Sequence, residues 1–206
     1  MKSRQSEGIA MIKFLCSLGL KTVILPLVIS LILACGPSSS LTSYHDPSMD
    51  FAALRTVAVM PFANLTNTQM AAERVRDIFA QSLLATGAVY VIPSGEVARG
   101  INRVGIINPT APSNEEIAAF AGVVKVDALI TGTVTEYGTV RSGPASANVL
   151  AFGVQMTEVQ TRKVVWTAST TKGGISIWDR LLGSGGEPMN DITMAAVNDV
   201  LNKLFK

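Results

Sequence analysis

Few side chains in this 206-residue chain have the type and spacing that chemistry needs. His45 is the only histidine, so a His-rich metal site and a Ser-His-Asp triad both lack parts. Of the two cysteines, Cys16 lies inside an apolar N-terminal stretch and Cys35 ends it, which leaves the remainder with no thiol for a disulfide or a metal. Glu115 and Glu116 follow Ser113-Asn114, where helix capping and the helix dipole account for their charge. Glu136, beside Tyr137, is the one carboxylate placed to act alone, and a lone strand carboxylate is ordinarily a solvent-face or interface residue. Gly183-Ser184-Gly185-Gly186 has the composition of a phosphate-cradling loop without its lysine or its strand-to-helix setting, and reads as a flexible linker. Asn64-Leu65-Thr66 matches a glycosylation acceptor, a signal too short to carry weight. No catalytic set, metal or cofactor is expected, and the chain reads as non-enzymatic.

The exception is Cys35, because of what precedes it. Lys2, Arg4, Lys13 and Lys21 make a basic n-region, and residues 23–33 make an apolar run that stops at Ala34-Cys35-Gly36. The run is shorter than the roughly 20 apolar residues of a spanning helix, contains Pro26 and ends in small residues, as a targeting leader does. Met11 is a second candidate start, just ahead of a more ordinary leader. Ile32-Leu33-Ala34-Cys35 resembles the lipobox of bacterial lipoproteins, which implies cleavage before Cys35 and acylation of its thiol, palmitate included. Stable anchoring takes more than one acyl chain, so a multiply acylated cysteine is expected. Gly36 stands where an aspartate commonly retains such proteins at the inner membrane, and the resemblance therefore implies an outer-membrane anchor facing the periplasm.

Removing the leader changes the charge, since it holds four of the 17 basic and one of the 15 acidic residues. The net charge moves from +2 to −1. No clustered basic excess remains for nucleic acid. Three segments are expected: a signal peptide over 1–34, a lipidated flexible tether over 35–53 that includes His45, and one α/β domain over 54–206, enough for one hydrophobic core.

Patterns within that domain define its elements. Thr56 to Phe62 is a β-branched apolar run closed by a proline, a strand buried on both faces. From Gln69 to Thr86, Val75, Ile78, Phe79 and Leu83 recur at helical spacing. Val89 to Ile92 is a second strand, Ser94 to Val104 a short helix, and Ser113-Asn114-Glu115-Glu116 a capping box opening a helix to about Val124. Asp127 to Tyr137 alternates as a strand, with Gly132 marking a close approach or a bulge. After a Gly/Ser/Pro loop, Leu150, Phe152, Val154 and Met156 share one face, and Val164, Trp166 and Ala168 continue across a turn at Thr161-Arg162. Val197, Val200, Leu201 and Leu204 mark a last helix, capped by Asn190 or Asp191. The order β-α-β-α-α-β-β-β-α predicts an α/β fold, a single mixed-sheet sandwich with helices packed on the sheet.

Three segments in this order, residues 57–66, 127–137 and 163–168, resemble the core of the periplasmic lipoprotein group that includes CsgG, PelC and the N-terminal domain of TolB. The resemblance covers most of residues 55–170. It implies a non-enzymatic, ring-forming homo-oligomer that serves export of an extracellular polymer alongside an outer-membrane porin. Exopolysaccharide is the expected cargo for a PelC-like collar and curli for a CsgG-like component. An LpoB-like regulator of cell-wall synthesis is the alternative. Gln160-Thr161-Arg162 lacks the Asp and Gly frequent before the Lys-Val-Val-Trp strand of this group. Residues 138–147 and 173–190 are too short or too glycine-rich to supply the 9 to 11 residues of each strand of a membrane hairpin, so a pore is not expected. Ile175, Trp178, Leu181 and Leu182 lie in a loop without an evident core to join, which reads either as a membrane or subunit contact or as a loop folding back onto its own domain.

Overall fold

Alternation within Thr56-Val57-Ala58-Val59-Met60 lays out the core. Val57 and Val59 enter one apolar cluster, and Ala58 and Met60 enter another on the opposite side. A strand buried on both faces needs helices above and below it. The computed structural model describes residues 40–175 and 186–205, all within the unit Ser38–Lys206. The strands are β1 (Ser40–His45), β2 (Thr56–Val59), β3 (Ala63–Asn64), β4 (Tyr90–Val91), β5 (Ala128–Ser142), β6 (Ala145–Glu158) and β7 (Val164–Gly173). The helices are α1 (Ala71–Ala85), α2 (Ser94–Val104), α3 (Asn114–Val124) and α4 (Met189–Leu204), with a 3-10 turn at Phe51–Ala53.

The strands form one mixed sheet in the order β1-β7-β6-β5-β2-β4, with β3 also on β5. Pairing is parallel from β5 to β2, β2 to β4 and β3 to β5. It is antiparallel from β5 through β6 and β7 to β1. Helices α1 and α4 cover one face, where Val75, Phe79, Leu83, Val197, Val200 and Leu201 meet Ile130, Leu150, Phe152 and the fully buried Trp166. Helices α2 and α3 cover only the parallel end of the other face, through Val97, Ile117 and Phe120 against Met60 and Leu129. The fold is therefore the expected α/β sheet sandwich, and its central order matches. Gly132 is the expected close approach: a Cβ there would lie 2.9 Å from the Phe62 ring. The bulge falls nearby, between Val134 and Glu136.

Three local expectations are corrected, and the turn expected at Thr161-Arg162 is kept. The tether expected over 35–53 is in part structured, because Ser40–His45 pairs along six positions with β7 and the α/β unit takes in residues before Leu54. His45 thus belongs to the sheet, half-buried, edge-on to Phe51 at 5.5 Å and tilted against Trp166 at 6.4 Å between ring centroids. The Gly/Ser/Pro loop after Tyr137 is mostly strand: β5 and β6 stay in register out to Ser142 and Ala145, leaving Gly143-Pro144 as the turn. Helix α4 opens at Pro188 without a side-chain cap, in place of Asn190 or Asp191. The β6–β7 connection closes without the missing Gly, by placing Arg162 at φ 59°.

The capping box forms as its spacing requires. Ser113 N–H donates to Glu116 Oε2 at 2.7 Å, and Glu116 N–H to Ser113 Oγ at 3.3 Å. The Glu115 carboxyl is held below its ordinary range, first by its own backbone N–H and then by the Ser113 hydroxyl. A second polar device joins the parallel strands: Asp127 Oδ2 accepts from the N–H groups of both Arg55 and Thr56 at 2.9 Å, and the Asp127 N–H returns a bond to Thr56 O.

Replacing Asp127 by Ala leaves two strand-entry donors without this acceptor. Urea unfolding should show a loss of about 1–2 kcal/mol, whereas Asp127→Asn, which keeps an oxygen, should lose less. Arg162→Gly relieves a left-handed residue that costs about 1–2 kcal/mol against the extra chain entropy of glycine. The same measurement should show a gain of about 0.5–1 kcal/mol; a loss would mean that the Arg162 side chain, and not its backbone, holds the turn.

Candidate functional site

The sheet face left bare by α2 and α3 has a distinct chemistry. Because Phe152, Val154 and Met156 point into the core, Gly153 and Gln155 point the other way. Cross-strand register then aligns Tyr44, Thr167, Gln155 and Thr131 in one row, and Thr42, Ser169, Gly153 and Thr133 in the next. Apart from Tyr44, these residues line a shallow depression of about 410 Å³, bordered by Thr110 and Ala111, with no charged side chain in its lining. Hydroxyls and one amide can exchange hydrogen bonds with a neutral polar partner. None of them acts as a general acid or base near neutral pH.

At one end of the sheet, β5 and β6 continue past their neighbours as a two-stranded arm. The last β6–β7 pair is Val149 with Gly173, while β5 and β6 pair on to Ser142 and Ala145. On the outer side of β5, Leu65 N–H donates to Val134 O at 2.9 Å and Thr68 Oγ1 donates to Tyr137 O at 2.8 Å. Beyond Tyr137, no described residue pairs with that edge. Val140 and Arg141 on the arm are exposed.

The expected contact loop springs from this arm. Gly174 N–H donates to Asn148 O at 2.9 Å, Gly186 N–H to Ser146 O at 3.1 Å, and Asn148 Nδ2 to Glu187 O at 2.8 Å. Gly173, at φ 87°, and Gly186 lie so close to the Ala147-Asn148 backbone that a Cβ on either would collide with it. Ile175 is half-buried at the start of the loop. Trp178, Leu181 and Leu182 lie outside the described residues, as do Cys35 and the Gly183-Ser184-Gly185 part of the glycine-rich run. Gly186, the last of that run, is the clasp just described.

Lys172 Nζ meets Asp199 Oδ2 at 2.5 Å, tying β7 to α4 with both side chains about one-third exposed. Asp46, at the far end of β1, has its carboxyl held below the ordinary range, chiefly by the Ser48 hydroxyl and then by the Ser48 N–H. Glu136 is exposed at the bulge, in keeping with a solvent-face residue. Asn64-Leu65-Thr66 is a loop organiser: Asn64 Oδ1 accepts from the N–H and the hydroxyl of Thr66, and Asn64 Nδ2 donates to Thr68 O. Among the described residues, no group of three or more His, Cys, Asp or Glu is arranged to hold a metal, and no helix is long and apolar enough to cross a membrane.

Sequence reasoning missed the strand edge at β1, the arm and the Asp127 clasp. Asp127 carried a signal, an acid standing immediately before a β-branched run. The hydroxyl rows also had one, in the alternating hydroxyl residues Thr131, Thr133 and Thr135 and Thr167, Ser169 and Thr171.

No family model and no curated protein matches this sequence. Solved structures do match in fold. The PelC dodecamer from Paraburkholderia phytofirmans aligns with a TM-score of 0.56 and 18% identity, covering 81% of this chain and 97% of that one. Lipoprotein GNA1162 from Neisseria meningitidis aligns with a TM-score of 0.53 and 19% identity, covering 73% and 98%. At these identities what is shared is the fold.

Proposed function

We propose that this chain is a lipoprotein anchored through Cys35 to the outer membrane, facing the periplasm, and that it works as a non-catalytic homo-oligomeric collar in export of an extracellular polymer. Exopolysaccharide, in the manner of PelC, is the favoured cargo, and an outer-membrane porin the favoured partner. The observation that carries the reading is the short distance in chain between the candidate lipid site and the folded sheet. Ser40, where β1 begins, is five positions beyond Cys35, a reach of at most about 18 Å. A domain so held stays at the bilayer surface, where a collar must sit. An LpoB-like regulator that has to reach a synthase across the periplasm needs a longer tether. The fold shared with a dodecameric PelC supports the same reading.

The loop over residues 175–182 belongs to it as a membrane or subunit contact. Ser40 lies in register with Thr171 and Ala151, and the arm continues six residues from Ala151 to Ala145, about 20 Å at strand rise. The loop's clasped ends and the chain's entry into β1 are thus at the same end of the sheet. Trp178, Leu181 and Leu182, on a loop launched from there, have the amphipathic and apolar character that an interface accepts.

Two measurements test these statements. Labelling cells with a palmitate analogue should mark the wild-type protein and leave Cys35→Ser unmarked; an unmarked wild type, or recovery of the protein in the cytosol, overturns the anchor. Native mass measurement in detergent should give a closed multimer that shows no single-channel conductance of its own in planar bilayers. A monomer removes the collar and a large conductance makes the protein a pore. In the same preparation, Trp178→Ser with Leu182→Ser should weaken membrane retention or multimer size. If both stay at wild-type values, the loop is no contact.

A further inference from the structure

Sheet edges are where chains associate, because each presents a row of unpaired N–H and C=O groups. This protein treats its two outermost strands differently. Strand β4 is two residues long and is followed closely by Pro93, a blunted edge. Strand β1 runs six residues as Ser-Leu-Thr-Ser-Tyr-His, without lysine, proline or bulge, and no described residue pairs with its outer side. Its backbone direction follows from one bond: Asp46 N–H donates to Val165 O at 2.8 Å. By antiparallel alternation, Tyr44 and Thr42 also bond β7, and the backbone groups of His45, Ser43 and Leu41 point away from the sheet.

A second bare edge lies on the opposite side of the molecule. Strand β5 is hydrogen-bonded to β6 on one side, and among the described residues its other side is covered only as far as Tyr137. Tyr137 O faces outward to Thr68, so alternation turns the backbone of Thr139 and Arg141 outward as well. The sheet order places β1 and the β5 arm on opposite flanks of β6 and β7. One chain therefore carries two unlike edges that face in opposite directions.

We propose that these two edges are the two halves of one subunit interface: the outer edge of β1 in one copy receives the outer edge of the β5 arm of the next. The occupant is a second copy of this chain because the same molecule supplies both complementary edges. Backbone pairing gives the adhesion, and the uncharged side chains of β1 other than His45 keep its approach open. A head-to-tail contact between unlike surfaces repeats, and it closes into a ring when the rotation per subunit allows. The inference rests on the collar reading above and adds the surfaces that build it. It also assigns β1 a double duty, since the strand that seats the chain just after Cys35 becomes the strand on which the next subunit docks.

The test uses full-length protein purified from membranes in detergent. Ser43→Pro and Arg141→Pro each remove an outward N–H while leaving the bonds to β7 and β6 in place, which an edge strand tolerates. Both variants should lose the multimer completely and run at the mass of one chain, with wild-type circular dichroism. A multimeric wild type whose Ser43→Pro variant keeps the same mass overturns this interface and leaves the collar reading standing. Loss with Ser43→Pro alone, or a wild type of two chains only, overturns the head-to-tail pairing. A monomeric wild type sinks the collar itself. Should Ser43→Pro misfold, amide exchange on the wild type decides: the Leu41, Ser43 and His45 amides should slow about tenfold or more in the multimer relative to diluted monomer. Equal exchange in the two states overturns the proposal.

Discussion

Strand β5 has to serve a parallel half-sheet and an antiparallel half-sheet with one backbone, and every other element takes its place from that constraint. On one side it accepts β2 and β3 in parallel, after a crossover of more than 60 residues that carries α1, α2 and α3. On the other it turns directly into β6 over two residues, so fourteen or so positions on each strand are aligned at once. The parallel half must be buried on both faces, which calls for helices on each side. The antiparallel half can face water on one side, and it does so with hydroxyls. The bulge between Val134 and Glu136 lies just before β5 leaves its covered region at Tyr137 and enters the arm.

Much of this architecture was legible because side-chain periodicity is local. Helices α2 and α3 begin and end where caps and spacing put them, and α1 falls within a residue or two of its apolar repeat. The core face of β6 is Leu150, Phe152, Val154 and Met156, as alternation implies. What stayed hidden depends on backbone partners distant in the chain. Ser-Leu-Thr-Ser-Tyr-His has the composition of a linker, and only the β7 edge, more than 120 residues later, makes it a strand. Arg141-Ser142-Gly143-Pro144 has the composition of a loop, yet ladder hydrogen bonds to β6 do not depend on side-chain type. Arg162 shows the converse: a turn that lacks its customary glycine still closes, with an arginine in the left-handed region.

The site was legible in an uneven way. In the sequence Cys35 stands out by its context and residues 175–182 by having no evident core to join, while Cys35, Trp178, Leu181 and Leu182 lie outside the described residues. The hydroxyl rows could be read as alternating threonines, but the rows exist only once four strands are in register. His45 was the largest misplacement, taken as a tether residue when it packs between Phe51 and Trp166. Its Nε2, like the Trp166 Nε1, is buried without a hydrogen-bond partner among the described residues. That is the cost of ending an edge strand on an aromatic cluster, offset by the burial of Trp166 and of the aliphatic residues around it.

Gly173 and Gly186 clasp the two ends of the loop against the same stretch of β6. Chain segments whose ends are fixed independently of their middle can change in length and composition at little expense to the rest of the fold, because closure entropy grows only slowly with size. The clasp thus separates two kinds of selection. The sheet answers to packing, while substitutions between the glycines leave both anchor points on β6 intact, so related chains should diverge there first and most.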